Sequence, residues 1–314
     1  AVPLMIVALA GVFAERSGII NLALEGIMIF GAFIGVLFVR QMQGVDTFIA
    51  AKAAGDWGTL QGLVLLAMLV SAAMGALFSL LLSFASINLR ADQTIGGTAL
   101  NLLAPAITLF IVKIFFMQDK LVMPKDIGFV ILNNDLGNVG RVFFDKAYIS
   151  TYIATIVFVI LSVLLYTTKL GLRLRACGEH PQAADSVGIN VKKMRYLGTT
   201  VSGALAGMGG YIYIATTAGG TSEGTVAGMG FLALAIMIFG NWKPLGIALG
   251  SLMFGFLKCL GVVSSSIPFF KSLGLPMYFY NLIPYVAVLV VLAFTSKSSR
   301  APKAEGIPYD KGMR

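Results

Sequence analysis

The chain has 314 residues, of which 58% are hydrophobic and only 12% charged, and its mean hydropathy is +0.88; a water-soluble globular chain carries about 25% charged residues. An ordinary soluble domain is thereby excluded. The net charge of +9 does not point to nucleic acid, because the basic residues collect at the ends of apolar segments, as membrane topology requires.

A helix that crosses the hydrocarbon core needs roughly 20 mostly apolar residues. The first apolar run, residues 1–14, is too short for a comfortable span and reads as part of one; it lacks the basic n-region of a signal peptide. Further spans are expected near residues 19–39, 61–87, 94–117, 149–168, 194–217, 229–241 (short), 244–263 and 278–296. The expected fold is an all-α, polytopic transmembrane helical bundle of about nine spans, occupying residues 1–296 and followed by a basic tail over 297–314. The runs are too long and continuous for the alternating strands of an outer-membrane barrel.

Lys and Arg set the expected orientation. The segment after the fifth span carries Lys169, Arg173, Arg175, Lys192, Lys193 and Arg195 against only Glu179 and Asp185, and the tail carries Lys297, Arg300, Lys303, Lys311 and Arg314, so both are expected in the cytoplasm. The long segment from Gln118 to Tyr148 balances Lys120, Lys125, Arg141 and Lys146 against Asp119, Asp126, Asp135 and Asp145, and is expected outside.

Around the short seventh span the pattern breaks. Glycine-rich Ala218 to Gly224 precedes it, and Asn241 to Gly246 must turn it into the eighth span at the cytoplasmic side. Such a segment reads either as a discontinuous helix beside protein or a water-filled cavity, or as an external loop before a short helix. Leu22-Ala23-Leu24 with Met28 to Gly31 recurs faintly as Leu232-Ala233-Leu234 with Met237 to Gly240, in opposite expected directions, as an inverted repeat would give.

The sequence holds no Gly-Lys dipeptide, so a phosphate-cradling Walker loop is absent and any ATP dependence must come from a partner. It shows no HExxH, GxSxG or paired-carboxylate constellation, and its single histidine, His180, lies in an expected cytoplasmic loop. Catalysis, a cofactor and a metal site are therefore not expected; Cys177 and Cys259, the two cysteines, suit neither a disulfide framework nor a zinc cluster.

Polar residues inside spans are costly and usually face a cavity or a partner helix. Ser17, Asn21 and Glu25 recur at i, i+4, i+8, and Gln93, Gly97 and Asn101 repeat that spacing just before Pro105. Each face serves either as interhelical glue or as the lining of a solute pathway; Asn21, Glu25, Gln93 and Asn101, with Phe239 as a stacking surface, are the candidate pathway residues. Lys113 and Lys258 fall near expected external ends, where snorkelling accounts for them. Spans so poor in charge suit a neutral polar solute such as a sugar or nucleoside.

The segment from Gly171 to Asn190 opens with a basic run and then offers Pro181 at a helix start and Gly188 at its end. A short helix from about Pro181 to Val187, parallel to the membrane, would make a docking peg, although composition alone fits a plain amphipathic loop equally well.

Four blocks in order, Glu15 to Gly26, Leu89 to Thr94 with Ala99-Leu100-Asn101, Arg175 to Gly188, and Gly230 to Ala235 leading to Phe239 to Gly246, resemble the permeases of bacterial sugar, nucleoside and branched-chain amino acid ABC importers. The opening block looks closest to the second of two paired permeases in nucleoside importers, with simple-sugar (ribose/galactose-type) permeases as the neighbouring branch. The resemblance implies a multi-pass protein of the bacterial inner membrane. It also implies a second, non-identical permease, a cytoplasmic ATPase and an extracytoplasmic solute-binding lipoprotein as partners. Residues 171–193 would then be the coupling loop, with Gly178, Glu179, Pro181, Ala183, Ala184, Asp185 and Gly188 seated in a cleft of the ATPase. A secondary transporter or channel, which broken helices and Glu25 would permit, and a membrane-embedded enzyme are the competing classes.

Overall fold

A computed structural model describes residues 1–123, 129–130, 147–264, 277–295 and 301–311. Lys125, Asp126, Asp135, Arg141, Asp145, Lys146, Lys297, Arg300 and Arg314, on which part of the expected orientation rests, lie outside the described residues.

The described residues are mostly helical: α1 (Val2–Glu15), α2 (Leu24–Met42), α3 (Asp46–Ala54), α4 (Trp57–Ile87), α5 (Gln93–Phe116), α6 (Ile149–Thr167), α7 (Lys169–Glu179), α8 (Pro181–Ser186), α9 (Val191–Thr216), α10 (Met229–Phe239), α11 (Pro244–Val263) and α12 (Met277–Thr295). Five helices among them are long and apolar enough to cross a membrane: Leu24–Met42, Trp57–Ile87, Gln93–Phe116, Ile149–Thr167 and Pro244–Gly261. The expected number near nine is not reached on that measure, partly because α1 and α10 are short apolar helices. Helix α9 carries Lys192, Lys193 and Arg195 in its first turns.

Local chemistry sets the ends. Asp56 accepts from the N–H groups of Gly58 (3.1 Å) and Thr59 (3.4 Å) at the start of α4, Asp92 from Thr94 (2.8 Å) and Ile95 (3.0 Å) at the start of α5, and Asn190 from Lys193 (3.0 Å) at the start of α9. Each satisfies donors that a first helical turn leaves orphaned. Pro181 and Pro244 stand at the starts of α8 and α11, where a missing N–H costs nothing.

The core forms around α9, which packs against α1, α2 and α4. Hydrocarbon offers no hydrophobic drive between helices, so close approach through small residues supplies the attraction. Gly207 illustrates it: a Cβ there would lie 2.4 Å from the Ser71 carbonyl and 2.9 Å from the Gly75 Cα, while a Cβ on Gly31 would lie 2.4 Å from Gly207 itself. Three helices thus meet backbone to backbone. Ser83 and Thr199 share a hydroxyl hydrogen bond in the same α4–α9 seam, which keeps two buried polar groups satisfied.

Two antiparallel pairs, β1 (Leu121–Val122) with β4 (Thr221–Ser222) and β2 (Phe129–Val130) with β3 (Ala147–Tyr148), cover the end away from α7 and α8. The first is extended by Met123 N–H donating to the Gly220 carbonyl (2.8 Å). Helix α3, which the sequence pattern did not suggest, lies on this end and closes a groove of about 350 Å³ with Phe48, Ile49, Leu60 and Leu63.

Candidate functional site

The second expected span, residues 19–39, begins late: α1 ends at Glu15 and α2 starts at Leu24, and residues 16–23 between them are not a regular helix. Ser17, Asn21 and Glu25 therefore do not share a helical face, which corrects the i, i+4, i+8 reading. Gly18 in the left-handed region (φ 95°) turns the chain, a conformation that glycine adopts freely. Arg195 of α9, only 1% exposed, lies against that glycine, 2.8 Å from where a Cβ would stand.

Irregular backbone at membrane depth must find partners within the protein, and the candidate amides supply them. Gln93 Oε1 accepts from the Ile20 N–H (2.7 Å), and Asn101 Oδ1 accepts from the Gly26 N–H (2.7 Å) while its Nδ2 donates to the Leu22 carbonyl (2.7 Å). Asn21 Oδ1 accepts from the Ala23 N–H (3.2 Å), and its Nδ2 donates to Ser202 Oγ (2.8 Å). Gln93 and Asn101 thus lie on α5 where the break is repaired. Gly97, between them, lets α5 approach to within 2.9 Å of Leu22 Cβ from its own would-be Cβ.

Glu25 reaches the opposite way. Its two oxygens accept from the N–H groups of Gly228 (2.9 Å) and Gly230 (2.6 Å), donors that the start of α10 leaves without an intrahelical partner. That start has no side-chain cap of its own; Gly228 sits there with φ 70°. Helix α10 is eleven residues long, about 16 Å at 1.5 Å per residue. It ends at a turn made by Asn241 and Trp242, both with positive φ. The Trp242 indole donates to Glu15 Oε2 (2.5 Å), and Tyr166 donates to the Trp242 carbonyl. The segment 16–23 therefore runs alongside α10, from the Glu15 end to mid-bundle.

The remaining candidates take separate places. Phe239 packs edge to face with Phe254 (6.5 Å between centroids) at the far end of α10 from Glu25, so it is not beside the four polar candidates. Lys113 pairs loosely with Asp119 (3.5 Å) at an exposed end. Lys258 instead donates to Met229 Sδ (3.0 Å) and sits over the Tyr213 ring (5.5 Å) beside the α10 start. Sequence pattern pointed to neither Gly228, Gly230 nor Trp242 as partners of the two glutamates, since those contacts span more than 200 residues.

At the end of the bundle that holds Glu15 and Trp242, the expected short helix after Pro181 is present as α8 (Pro181–Ser186), preceded by α7. Gly171, Leu174, Cys177 and Gly178 make the buried face of α7. Burial pushes the Cys177 thiol up to about 11. A Cβ on Gly178 would lie 2.4 Å from the Arg16 carbonyl, so only glycine permits this seat. Glu179 bonds Arg16 (3.1 Å). Pro181 and Ala184 face inward, while Gln182, Ala183, Ser186 and Val187 face out, Val187 at 74% exposure. Asp185 and Gly188 border a cavity of about 610 Å³ together with Tyr309, and Glu179, Ala183 and Val187 border an apolar cleft of about 230 Å³.

Residues 1–293 match the family described as branched-chain amino acid transport system / permease component. The chain belongs to that permease family. It is similar to the guanosine ABC transporter permease protein NupQ of Bacillus subtilis (41% identical, covering 100% of this chain and 95% of NupQ) and to the nucleoside ABC transporter permease protein NupC of Lactococcus lactis (41%, covering 98% and 93%). It is also similar to a second L. lactis protein, the nucleoside ABC transporter permease protein NupB, at 23% identity (97% and 83%). No solved structure matches. Family membership and the five apolar helices make the chain a membrane protein and a transporter permease.

Proposed function

We propose that the chain is the membrane-spanning permease subunit of an ATP-binding-cassette importer that carries nucleosides across the bacterial inner membrane. The observation that supports this reading is the short helix α8, whose exposed Ala183 and the following Val187 border an apolar cleft, beside Gly178, which seats α7 against the end of α1. A surface of that kind suits insertion into a partner's groove, and the Walker-free sequence requires a partner to hydrolyse ATP. Similarity to NupQ and NupC at 41% over nearly their whole lengths supports nucleosides over simple sugars as cargo.

In this reading Gly178 to Gly188 is the coupling helix and the basic flanks of α7 and α9 face the cytoplasm. Closure of two ATPase subunits would draw two such pegs together, and rigid helices would carry the displacement into the membrane. Asn21, Glu25, Gln93 and Asn101 would border the solute route where α2 and α10 start from a common level. Helices α1, α10 and α12, added to the five long apolar helices and α9, would bring the spans to about nine, with α2 and α10 as counterparts in an inverted repeat. The occurrence of NupC and NupB as distinct permeases of one organism supports a heterodimer of permeases; a solute-binding lipoprotein would deliver the cargo.

The test is uptake of labelled nucleosides and of ribose by cells carrying or lacking this gene, repeated with Ala183→Trp. ATP-dependent nucleoside uptake that disappears with the gene and with the substitution is expected. Uptake by purified chain in vesicles without any ATPase would overturn the reading in favour of a gradient-driven carrier.

A further inference from the structure

Residues 301–311 form a strap against the end of the bundle that holds α7 and α8, and its own backbone anchors it there. The Ala304 N–H donates to the Gly178 carbonyl (2.9 Å), and Arg195 Nη1 donates to the Ile307 carbonyl (2.9 Å). Arg195 is only 1% exposed, and its Nε and Nη2 are buried without a hydrogen-bond partner. Among the described residues, the Ile307 carbonyl is therefore the one acceptor its guanidinium has. A buried cation left with no acceptor is costly, so the strap is held by what its departure would leave behind.

The same strap touches both α8 and the break between α1 and α2. Tyr309 packs on the apolar group of Cys177 from α7, Ala184 from α8 and Val191 from α9. Pro302 and Ala304 are buried. Gly306, with φ 75°, stands so close to Ile20 that a Cβ there would lie 2.7 Å from the Ile20 Cδ1. Ile20 belongs to the irregular segment 16–23, and its N–H is the one that Gln93 of α5 accepts (2.7 Å). Arg90, just before α5, pairs with Asp310 (2.7 Å); both side chains reach water, so this pair adds little.

We propose that the strap is a positioning element of the coupling step: with Tyr309 behind α8 and Gly306 against Ile20, it makes α8 and the helix break move together. The proposal rests on the permease reading above. Helix α8 has six residues and buries only Pro181 and Ala184, too little apolar surface to hold its place under load; the Tyr309 ring beside Ala184 supplies the backing. A second tie runs through α7, where Gly178 sits on the Arg16 carbonyl and Glu179 bonds Arg16 (3.1 Å). The two ties reach the segment 16–23 at different residues, Arg16 and Ile20, so a push on α8 displaces the segment instead of turning about one point.

The experiment takes two readouts on the full chain with Cys259→Ser, which leaves Cys177 as its one cysteine. The first is the rate at which maleimide labels Cys177 in detergent; it reports whether the strap covers α7 and needs no transport. The second is solute moved per ATP hydrolysed after reconstitution in liposomes with the second permease, ATPase and binding protein. A wild-type complex without ATP-driven uptake overturns the permease reading itself, whatever the labelling shows. With uptake present, Tyr309→Ala and Gly306→Val are expected to label Cys177 about tenfold faster and to lower the ratio about fivefold or more, with the ATPase still bound. Tyr309→Phe, which keeps the ring, and Lys303→Ala, at an exposed strap position, are expected to match wild type in both readouts. Labelling as slow as wild type in Tyr309→Ala and Gly306→Val, or faster labelling with an unchanged ratio, overturns the proposal. A Tyr309→Phe chain as uncoupled as Tyr309→Ala does so too. If Gly306→Val does not assemble, Tyr309→Ala, at a partly exposed position, decides alone.

Discussion

The carboxylate of Glu25 on α2 caps a helix whose N-cap glycine lies 203 residues later, holding the backbone N–H groups of Gly228 and Gly230 at 2.9 and 2.6 Å. Hydrogen bonds to a charged group contribute about 1.5–3 kcal/mol each, and here they replace water that a helix start inside the bundle does not have. Glu25→Ala is expected to destabilise the protein by about 3 kcal/mol or more and to abolish uptake. Glu25→Gln, whose amide places a donor against one of the two N–H groups, is expected to recover only part. Thermal unfolding in detergent alongside uptake checks both.

Asn101 serves backbone within the helix break and in the first turn of α2, and its loss orphans the Gly26 N–H and the Leu22 carbonyl together. Asn101→Leu is expected to cost about 2–4 kcal/mol, since each unmade buried partner costs about 1–3 kcal/mol. Asn101→Asp, which accepts but cannot donate to Leu22, is expected to fall between. If Asn101 serves the fold alone, surviving uptake in the milder variant keeps its half-saturation concentration; a shifted value with unchanged stability places the solute on this side chain.

Gly207 has no room for a methyl group between Ser71, Gly75 and Gly31. Overpacking a tight seam costs about 1–3 kcal/mol even where neighbours can yield, and here the neighbours are backbone. Gly207→Val is expected to yield little folded protein, measured as monodisperse material after detergent extraction, whereas Gly62→Val, at a glycine with nothing within 4 Å, is expected to match wild type.

The end that holds α7 and α8 gives a labelling pattern. Cys177 is buried and its thiol is pushed up to about 11, so about one in ten thousand is thiolate near neutral pH, and maleimide is expected not to react with it in the folded protein. A cysteine introduced by Val187→Cys, at the exposed C-terminal end of α8, is expected to react with a membrane-impermeant maleimide only from the ATP-containing side. Reaction only in intact cells from outside would invert the orientation and remove the peg.

Much of the architecture is legible without coordinates, because apolar length is a local quantity. The expected spans at 61–87, 94–117, 149–168, 194–217 and 244–263 correspond to Trp57–Ile87, Gln93–Phe116, Ile149–Thr167, Val191–Thr216 and Pro244–Val263 to within a few residues. Pro181 likewise opens a short helix. The interval 16–23 defeats the same procedure: Ile19, Ile20, Leu22 and Ala23 are apolar enough to continue a helix, and the donors that make a break affordable come from Gln93 and Asn101, more than 70 residues away. The tail offered basic residues and little else, yet Ala304 and Ile307 find partners at Gly178 and Arg195.

The sequence by itself determined that this chain lies in a membrane, is helical, lacks a Walker loop and carries a short helix started by Pro181, since each follows from composition or from neighbours within a few turns. Only the tertiary structure decided what the buried polar side chains do. Glu15, Glu25, Gln93 and Asn101 each bond to an element distant in the chain, and in a medium without water the choice of partner belongs to the packing of helices rather than to any one of them.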